Sequence, residues 1–233
     1  MFSTSPIMDL LACFALNEEA APFRKMAAGK PGVSILITGI GQKNAERAMR
    51  EFLSSNLPKL VLTCGFAGGL NPDLKLGEVV FGPTDRRGEF HEPQTEKKIG
   101  GPQSSPLRER LLAAGAKPAT FFWTDRIATT AAEKKKLRIE TGTDAVEMES
   151  AAIHAVCRER GISCATVRVI SDTVNEDLPL DFNQLTKPDM NLDYGKLALA
   201  ILKSPGKIGA LLKLQKKTRF AAERLADVLS RVV

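Results

Sequence analysis

The feature that most constrains the fold of this 233-residue chain is the alternation of short apolar runs with segments of helical periodicity. The helical segments include Lys43–Ser55, which follows Gly39–Ile40–Gly41, and Val146–Arg160, which Gly161 ends. This alternation is typical of a sheet covered by helices on both faces, and the length fits one α/β domain over 1–233. The apolar runs predict six strands: Met8–Ala15, Val33–Thr38, Leu60–Cys64, Glu78–Phe81, Ala119–Trp123 and Cys164–Ile170.

Composition narrows the class of protein. A hydrophobic content of 43% and a charged content of 26% are typical of a globular chain that buries a core without metal or disulfide help. The apolar stretch Ile7–Leu16 lacks a preceding basic residue, and no apolar run is long enough to span a bilayer, so we expect a cytoplasmic protein. Because no C-x-x-C pair occurs and only His91 and His154 are available besides, we expect no metal site. We also expect no cofactor, and four reduced cysteines: Cys13, Cys64, Cys157 and Cys164.

The positive charge of the chain lies in its C-terminal stretch. Residues 196–233 hold nine Lys or Arg and two Asp or Glu, a balance of +7 against +6 for the whole chain. At about 206–233 the apolar residues recur at helical spacing and predict a basic amphipathic helix, which packs on its own domain or, alternatively, meets an anionic membrane surface. A basic tail with few aromatic residues argues against nucleic-acid binding.

Two further segments have more than one interpretation. In Thr63–Leu70 a buried strand runs into small residues. Either their backbone amides approach a ligand at the edge of the sheet, or the segment is only a glycine-rich turn that reverses the chain. The polar segment Thr84–Pro106 predicts a long loop of the kind that often forms a lid. His91 lies in it and is better explained as a solvent-exposed side chain than as a substrate contact.

Carboxylates lie at two places in this pattern where ligands bind. The run Asp144–Ala152 predicts acidic side chains at the mouth of a helix, and Asp172 follows the apolar strand that ends at Ile170. One carboxylate that holds a sugar hydroxyl and another that protonates a leaving group are the parts needed to cleave a bond to ribose. On its own, Ser171–Asp172 is better explained as a helix N-cap or a turn.

Four segments in order resemble the nucleoside phosphorylase and nucleosidase superfamily, within a likeness that runs from about Met8 to Asp177. The resemblance implies a three-layer α/β/α fold with a central mixed sheet. Within the superfamily it is closest to nucleosidases of the methylthioadenosine/S-adenosylhomocysteine type and to the hopanoid-associated phosphorylase branch. The segments are Ala15–Glu19, Cys64–Leu70 with Leu76–Val80, Ala145–Ser150 and Arg168–Asp172.

The resemblance also implies roles for individual residues. Asp172 would be the general acid that protonates N7 of a purine, and Glu19 would activate water. Glu149 would bind the ribose hydroxyls and Met148 would pack against the sugar, with Arg168 supporting the carboxylates. The remaining substrate-binding residues that it implies are Ser171, Phe66, Ala67, Gly68, Ile127 and Ala128.

The residues after the first strand distinguish two reactions. A phosphorylase gathers arginines and glycine amides around a phosphate dianion, and such relatives carry an arginine soon after this strand. This chain has Asn17–Glu18–Glu19 there, with Arg24 further on. A carboxylate repels phosphate but can act as a base on water, so we expect hydrolysis that releases adenine from a 5′-substituted adenosine. A phosphate-dependent phosphorylase and a non-catalytic nucleoside-binding relative remain the alternatives.

The chain departs from the adenosine-type nucleosidases at two positions. Phe66 replaces a small polar residue, and Glu78 replaces an Asp. The segments Leu178–Pro179, Asp181–Phe182 and Lys203–Pro205 resemble the hopanoid-associated branch, which implies adenosylhopane as a candidate substrate and contact with the inner face of the membrane. The superfamily resemblance also implies a homodimer.

Overall fold

The computed structural model describes residues 8–82, 106–185 and 205–233, together with Lys196 and Leu199. Two 3-10 turns, Phe182–Leu185 and Pro205–Lys207, accompany six helices and eight strands in these ranges. The helices are α1 (Asn17–Met26), α2 (Gln42–Phe52), α3 (Pro106–Ala113), α4 (Ala131–Thr141), α5 (Ser150–Glu159) and α6 (Ile208–Val232). The strands are β1 (Leu10–Phe14), β2 (Val33–Ile37), β3 (Leu60–Gly69), β4 (Val79–Gly82), β5 (Lys117–Pro118), β6 (Phe121–Trp123), β7 (Ala145–Glu147) and β8 (Ser163–Asp172).

The strands form one mixed sheet in the order β2-β1-β3-β8-β4-β5. Strand β8 pairs in parallel along most of one edge of β3, from Leu60 to Gly68. The other edge of β3 is shared: its first residues pair in parallel with β1, and Gly68 and Gly69 pair antiparallel with β7, which in turn pairs with β6. Beside the middle of β3 the sheet therefore has a gap, which lies between the end of β1 and the strand β7.

Helices cover both faces of the sheet, as the sequence predicts. Along β1, Leu11 and Cys13 face a core with α2 and α5, whereas Ala12 and Phe14 face the core formed with α1, α3 and α6. The predicted α/β fold with a central mixed sheet is confirmed. Three of the cysteines are buried and Cys164 is partly buried, and all four are free thiols.

The helix predicted over Val146–Arg160 is wrong at its start. Ala145–Glu147 forms β7 because its residues complete the ladders of both β6 and β3, and α5 begins only at Ser150. Tertiary pairing thus overrides the helical periodicity of this segment.

The glycine-rich segment is also not a turn, because β3 continues through it to Gly69. Of the predicted strand Ala119–Trp123, only Phe121–Trp123 forms a strand, β6, and Ala119 and Thr120 separate it from β5. Residues 84–105 of the predicted loop, with His91, lie outside the described residues. Within the described ranges, no helix combines the length and apolarity needed to cross a bilayer.

Candidate active site

A cavity of about 220 Å³ opens where the sheet divides, at the ends of β1, β7 and β8. Ten of the eleven sequence-predicted site residues line this cavity, and Arg168 lies behind its wall with 1% of its surface exposed. The structure therefore brings the predicted residues together around one space. The ten are Glu19, Phe66, Ala67, Gly68, Ile127, Ala128, Met148, Glu149, Ser171 and Asp172.

Arg168 organises two glutamates at one end of the cavity. Its Nη2 lies 2.6 Å from Glu147 Oε2 and 3.2 Å from Glu149 Oε2. The same nitrogen lies 3.2 Å from Thr63 Oγ1 and 3.0 Å from Ser150 Oγ, and Nη1 donates to the carbonyl of Cys64 at 3.3 Å. A buried guanidinium with these partners is held rigidly and fixes both carboxylates.

Glu147 is a part of this cluster that the sequence prediction missed. Its Oε2 accepts hydrogen bonds from the backbone N–H groups of Glu149 at 2.9 Å and Ser150 at 2.8 Å, so it also fixes the start of α5. Its Oε1 is buried and has no hydrogen-bond partner among the described residues. The sequence signal for Glu147 was its position two residues before Glu149. This spacing places Glu147 at the end of β7 and Glu149 at the start of α5.

Glu149 is the N-cap residue of α5 and is 6% exposed. Its Oε1 accepts a hydrogen bond of 3.0 Å from the N–H of Gly41, in the glycine turn that precedes α2. Burial and the neighbouring Glu147 raise the pKa of Glu149 to about 7, against the opposing effect of Arg168. Near neutral pH this carboxyl group therefore exchanges between the charged and the neutral form.

Glu19 lies in the first turn of α1 and is 4% exposed. Its Oε2 accepts from the N–H of Leu16 at 3.0 Å, and its Oε1 accepts from the N–H of Phe66 at 2.9 Å. Burial raises the pKa of Glu19, although these amides and Arg168 oppose the shift. A carboxylate whose pKa is raised is a stronger base at neutral pH.

Gly65 lets β3 pass between Glu19 and Arg168. Its φ is +143°, in the region that disfavours other residues. A Cβ at this position would lie 2.7 Å from Arg168 Nη1 and 2.9 Å from Glu19 Oε1. Glycine is thus needed here for the close approach of the two charged side chains.

Asp172 lies at the other end of the cavity, at the carboxyl end of β8. Its Oδ1 accepts a hydrogen bond of 2.7 Å from Ser171 Oγ, and its Oδ2 forms an ion pair with Lys134 Nζ. Ser171–Asp172 therefore belongs to the strand and the cavity and caps no helix among the described residues. Sequence reasoning missed Lys134, which looks like one of three successive lysines on an exposed helix.

Mostly apolar side chains line the cavity between these two ends. Ile127 is held by Asn183, whose Oδ1 accepts from the Ile127 N–H at 2.8 Å and whose Nδ2 donates to its carbonyl at 2.9 Å. The first half of α6 contributes Leu214 and Thr218 to the lining. The sequence prediction did not include these wall residues: Leu178, Phe182, Leu214 and Thr218.

Positive charge is scarce in the cavity wall. Among the described residues that line it, Arg126 alone carries a positive charge, and its guanidinium pairs with Glu133 at 3.0 Å. Arg24, the nearest sequence candidate for a phosphate contact, is exposed and donates to Asn17 Oδ1 at 3.4 Å. Within the described ranges, no group of three or more His, Cys, Asp or Glu is arranged to hold a metal ion.

Comparison with known proteins identifies the class to which this fold and site belong. The profile of the Phosphorylase superfamily matches residues 14–203, which is most of the chain. The chain belongs to the phosphorylase superfamily, and it is an enzyme of the kind that acts on N-glycosidic bonds.

The relatives that match this chain in sequence include 5′-methylthioadenosine/S-adenosylhomocysteine nucleosidases. The Shewanella halifaxensis (strain HAW-EB4) protein is 26% identical over 175 residues, which cover 66% of this chain and 74% of the relative. The Mycobacterium tuberculosis (strain CDC 1551 / Oshkosh) protein is 25% identical over 162 residues, which cover 54% and 64%.

Solved structures share the fold over nearly the whole chain. Futalosine hydrolase of Helicobacter pylori strain 26695 has a TM-score of 0.66 at 18% identity, covering 97% of each chain. The Helicobacter pylori 5′-methylthioadenosine/S-adenosylhomocysteine nucleosidase, solved with butyl-thio-DADMe-Immucillin-A, has a TM-score of 0.67 at 18% identity and the same coverage. The fold of this chain therefore occurs in enzymes solved with small-molecule ligands.

Proposed function

We propose that this enzyme is a nucleosidase that hydrolyses the N-glycosidic bond of a 5′-substituted adenosine and releases adenine. The observation that carries the proposal is one cavity with Asp172 at one end and Glu149 and Glu19 at the other. The similarity to nucleosidases that act on adenosine derivatives supports the same substrate class.

In this proposal each carboxyl group has one task. Asp172 donates its proton to N7 of the purine while the C1′–N9 bond breaks and the bonding electrons leave with the base. Glu149 binds the ribose hydroxyls, with Met148 packed against the sugar and Arg168 fixing the glutamate. Glu19 takes a proton from the water that attacks C1′, and the positive charge on the ribosyl group is stabilised by the nearby carboxylates.

The surroundings of Glu19 favour water over phosphate as the nucleophile. Glu19 is buried next to the Phe66 amide, and the Arg168 guanidinium is already paired with Glu147 and Glu149. A phosphate dianion at this place would face carboxylates without a free arginine among the described cavity residues. Hydrolysis is therefore the favoured reaction, and phosphorolysis is the alternative that the assay must test.

We further propose that the 5′ group is apolar and can be long, with adenosylhopane as a candidate. Leu214 and Thr218 of α6 line the cavity, and on the same half of this helix Ile208 and Leu212 are 44% and 54% exposed. Lysines accompany these apolar side chains, a combination that suits an anionic membrane surface. A lipid-linked nucleoside would reach the cavity along this half of α6.

The wider organisation is proposed on the same basis. We propose one domain over residues 1–233, and the buried core that the second half of α6 shares with α1 and the sheet supports this. We expect a cytoplasmic homodimer, as the superfamily resemblance implies, peripheral to the inner face of the membrane.

The decisive assay incubates the protein with 5′-alkylthio-adenosines of increasing chain length, with and without phosphate, and measures adenine and the sugar product. We expect adenine and free sugar at the same rate in both conditions. The Asp172→Asn variant should lose about 10²- to 10⁴-fold in kcat, as expected for removal of a general acid. The exposed Asp73→Asn is the matched control. Adenine release that requires phosphate and yields a sugar phosphate would assign a phosphorylase instead, and tight binding without turnover would assign a binding protein.

A further inference from the structure

Lys134 is a buried cation next to the proposed general acid. It lies on α4 with none of its surface exposed, and its Nζ donates to the carbonyls of Thr173 at 3.1 Å and Glu176 at 2.8 Å. Its third partner is Oδ2 of Asp172. An ammonium group has three donors, so this set of acceptors fits the charged form of the lysine.

The packing around this pair leaves little freedom to either side chain. On β3, a Cβ at Gly68 would lie 3.5 Å from Asp172 Oδ2 and 3.9 Å from Lys134 Cε. On β8, Ser171 Oγ holds the other oxygen of Asp172 at 2.7 Å. The pair is thus enclosed by β3, β8 and α4, on the wall of the cavity.

Two other acids close to this pair, Glu176 and Asp177, have partners of their own. The carboxylate of Glu176 pairs with Lys217 of α6 and accepts from the N–H of Thr173 at 3.1 Å. The carboxylate of Asp177 accepts from the N–H of Ala131, at the start of α4, at 2.7 Å. Among the described residues, Lys134 is therefore the cation in direct contact with Asp172.

We propose that Lys134 is a positioning residue for the reaction: its ammonium group orients Asp172 and stabilises the carboxylate that forms as Asp172 gives up its proton. The inference rests on the proposed function. In the step, the O–H bond of Asp172 breaks, the proton goes to N7 of the purine, and the C1′–N9 electrons go to the base. Lys134 keeps its own proton throughout and faces the new carboxylate in a site of low polarity.

Such a lysine has a consequence that an assay can separate from a purely structural role. An adjacent cation stabilises the carboxylate that forms in the step, so it lowers the barrier when the leaving group takes its proton from Asp172. Removing the charge should therefore slow the cleavage of substrates whose leaving group needs that proton and change the cleavage of other substrates less.

The test compares Lys134→Met with Lys135→Met, an exposed neighbour on α4, by measuring adenine release at saturating substrate. We expect Lys134→Met to lose about 10- to 100-fold in kcat. A 4-nitrophenyl riboside with the same 5′ group needs no protonation of its leaving group, and its hydrolysis should change less than about threefold. Lys135→Met should match the wild type in both measurements.

Lys134→Gln provides a second variant, since it removes the charge but keeps a donor for Asp172, and it should show the same selective loss of adenine release. Equal losses on both substrates would reduce Lys134 to a structural role, as would failure of both variants to fold. If the wild type releases adenine while the two Lys134 variants lose activity equally on both substrates or fail to fold, this inference alone fails. If the wild type releases no adenine under any condition, the proposed function fails with it.

Discussion

The two ends of the cavity differ in how their buried charges are balanced. At the end where we propose that the sugar binds (the sugar end), one guanidinium, Arg168, stands against three acids that act on it electrostatically: Glu147, Glu149 and Glu19. At the end where we propose that the nucleobase binds (the base end), one ammonium, Lys134, is matched with one acid, Asp172. The first arrangement gathers more acids than cations where a ribosyl cation would form, and the second supports loss of a single proton.

The largest expected effect is on the unfolding free energy, and it tests whether Arg168 alone balances the buried glutamates at the sugar end. Arg168→Met leaves Glu147 and Glu149 buried without their cation, and breaking a buried ion pair from one side costs about 3–5 kcal/mol of unfolding free energy. Urea denaturation measures this change. Adding Glu147→Gln to the Arg168→Met variant should restore part of the loss.

The control for this prediction is an exposed arginine that pairs with the same number of glutamates. Arg50 also pairs with two glutamates, Glu46 and Glu159, at 2.9 Å and 2.6 Å, but its side chain is 44% exposed. Arg50→Met should cost no more than about 1 kcal/mol. Similar losses for the two arginines would show that burial does not set the strength of the cluster.

A second prediction uses pH to compare the ends. Because burial raises the pKa of Glu149 to about 7, the folded protein holds this proton up to a higher pH than the unfolded chain does. The resulting stability is present at pH 4 and is lost as the pH rises through about 7. Glu149→Gln removes this contribution, so the unfolding free energy of the variant relative to the wild type should rise by about 1–3 kcal/mol between pH 5 and pH 8.

Denaturation curves at several pH values measure this difference, with the exposed Glu51→Gln as the control. A wild-type-like pH dependence in the Glu149→Gln variant would contradict the excess of buried acid at the sugar end. The Asp172→Asn variant, measured in the same way, shows whether the base end behaves differently.

The fold was largely predictable because most strands carry an apolar signal of their own. The error at Val146–Arg160 has a physical cause: three residues form β7 only because β6 and the end of β3 provide ladders for them. A short segment whose pairing partners are distant in sequence carries no local signal that separates strand from helix. The same limit hid the extension of β3 to Gly69.

The site was predictable where a motif carries it and not where the fold alone creates it. The resemblance named Glu149 and Asp172, which line one cavity. Lys134 was missed because its pattern, Lys134–Lys135–Lys136, is typical of a solvated helix face, and only the packing of α4 on β8 buries the first of the three. Leu214 and Thr218 were missed because they are about forty residues beyond the last motif.

The smallest expected effect concerns how a substrate reaches either end of the cavity. In the second half of α6, Leu225 and Leu229 are fully buried, whereas in the first half Leu212 is 54% exposed. Leu212→Gln should leave the unfolding free energy within about 0.5 kcal/mol of the wild type, as for other exposed positions. It should leave turnover of a short 5′-substituted adenosine unchanged as well.

If the first half of α6 meets a membrane, the same variant should bind anionic vesicles at least about fivefold more weakly, because a leucine that enters the interface loses more than about 1 kcal/mol of apolar burial. Cosedimentation with phosphatidylglycerol vesicles measures the affinity, and Leu57→Gln, which alters an apolar residue that is 73% exposed elsewhere, is the control. Equal binding by the wild type and both variants would exclude this half of α6 as the membrane contact. Substrate would then enter from solvent, and the apolar wall at Leu214 would select only the part of the 5′ group that fits inside the cavity.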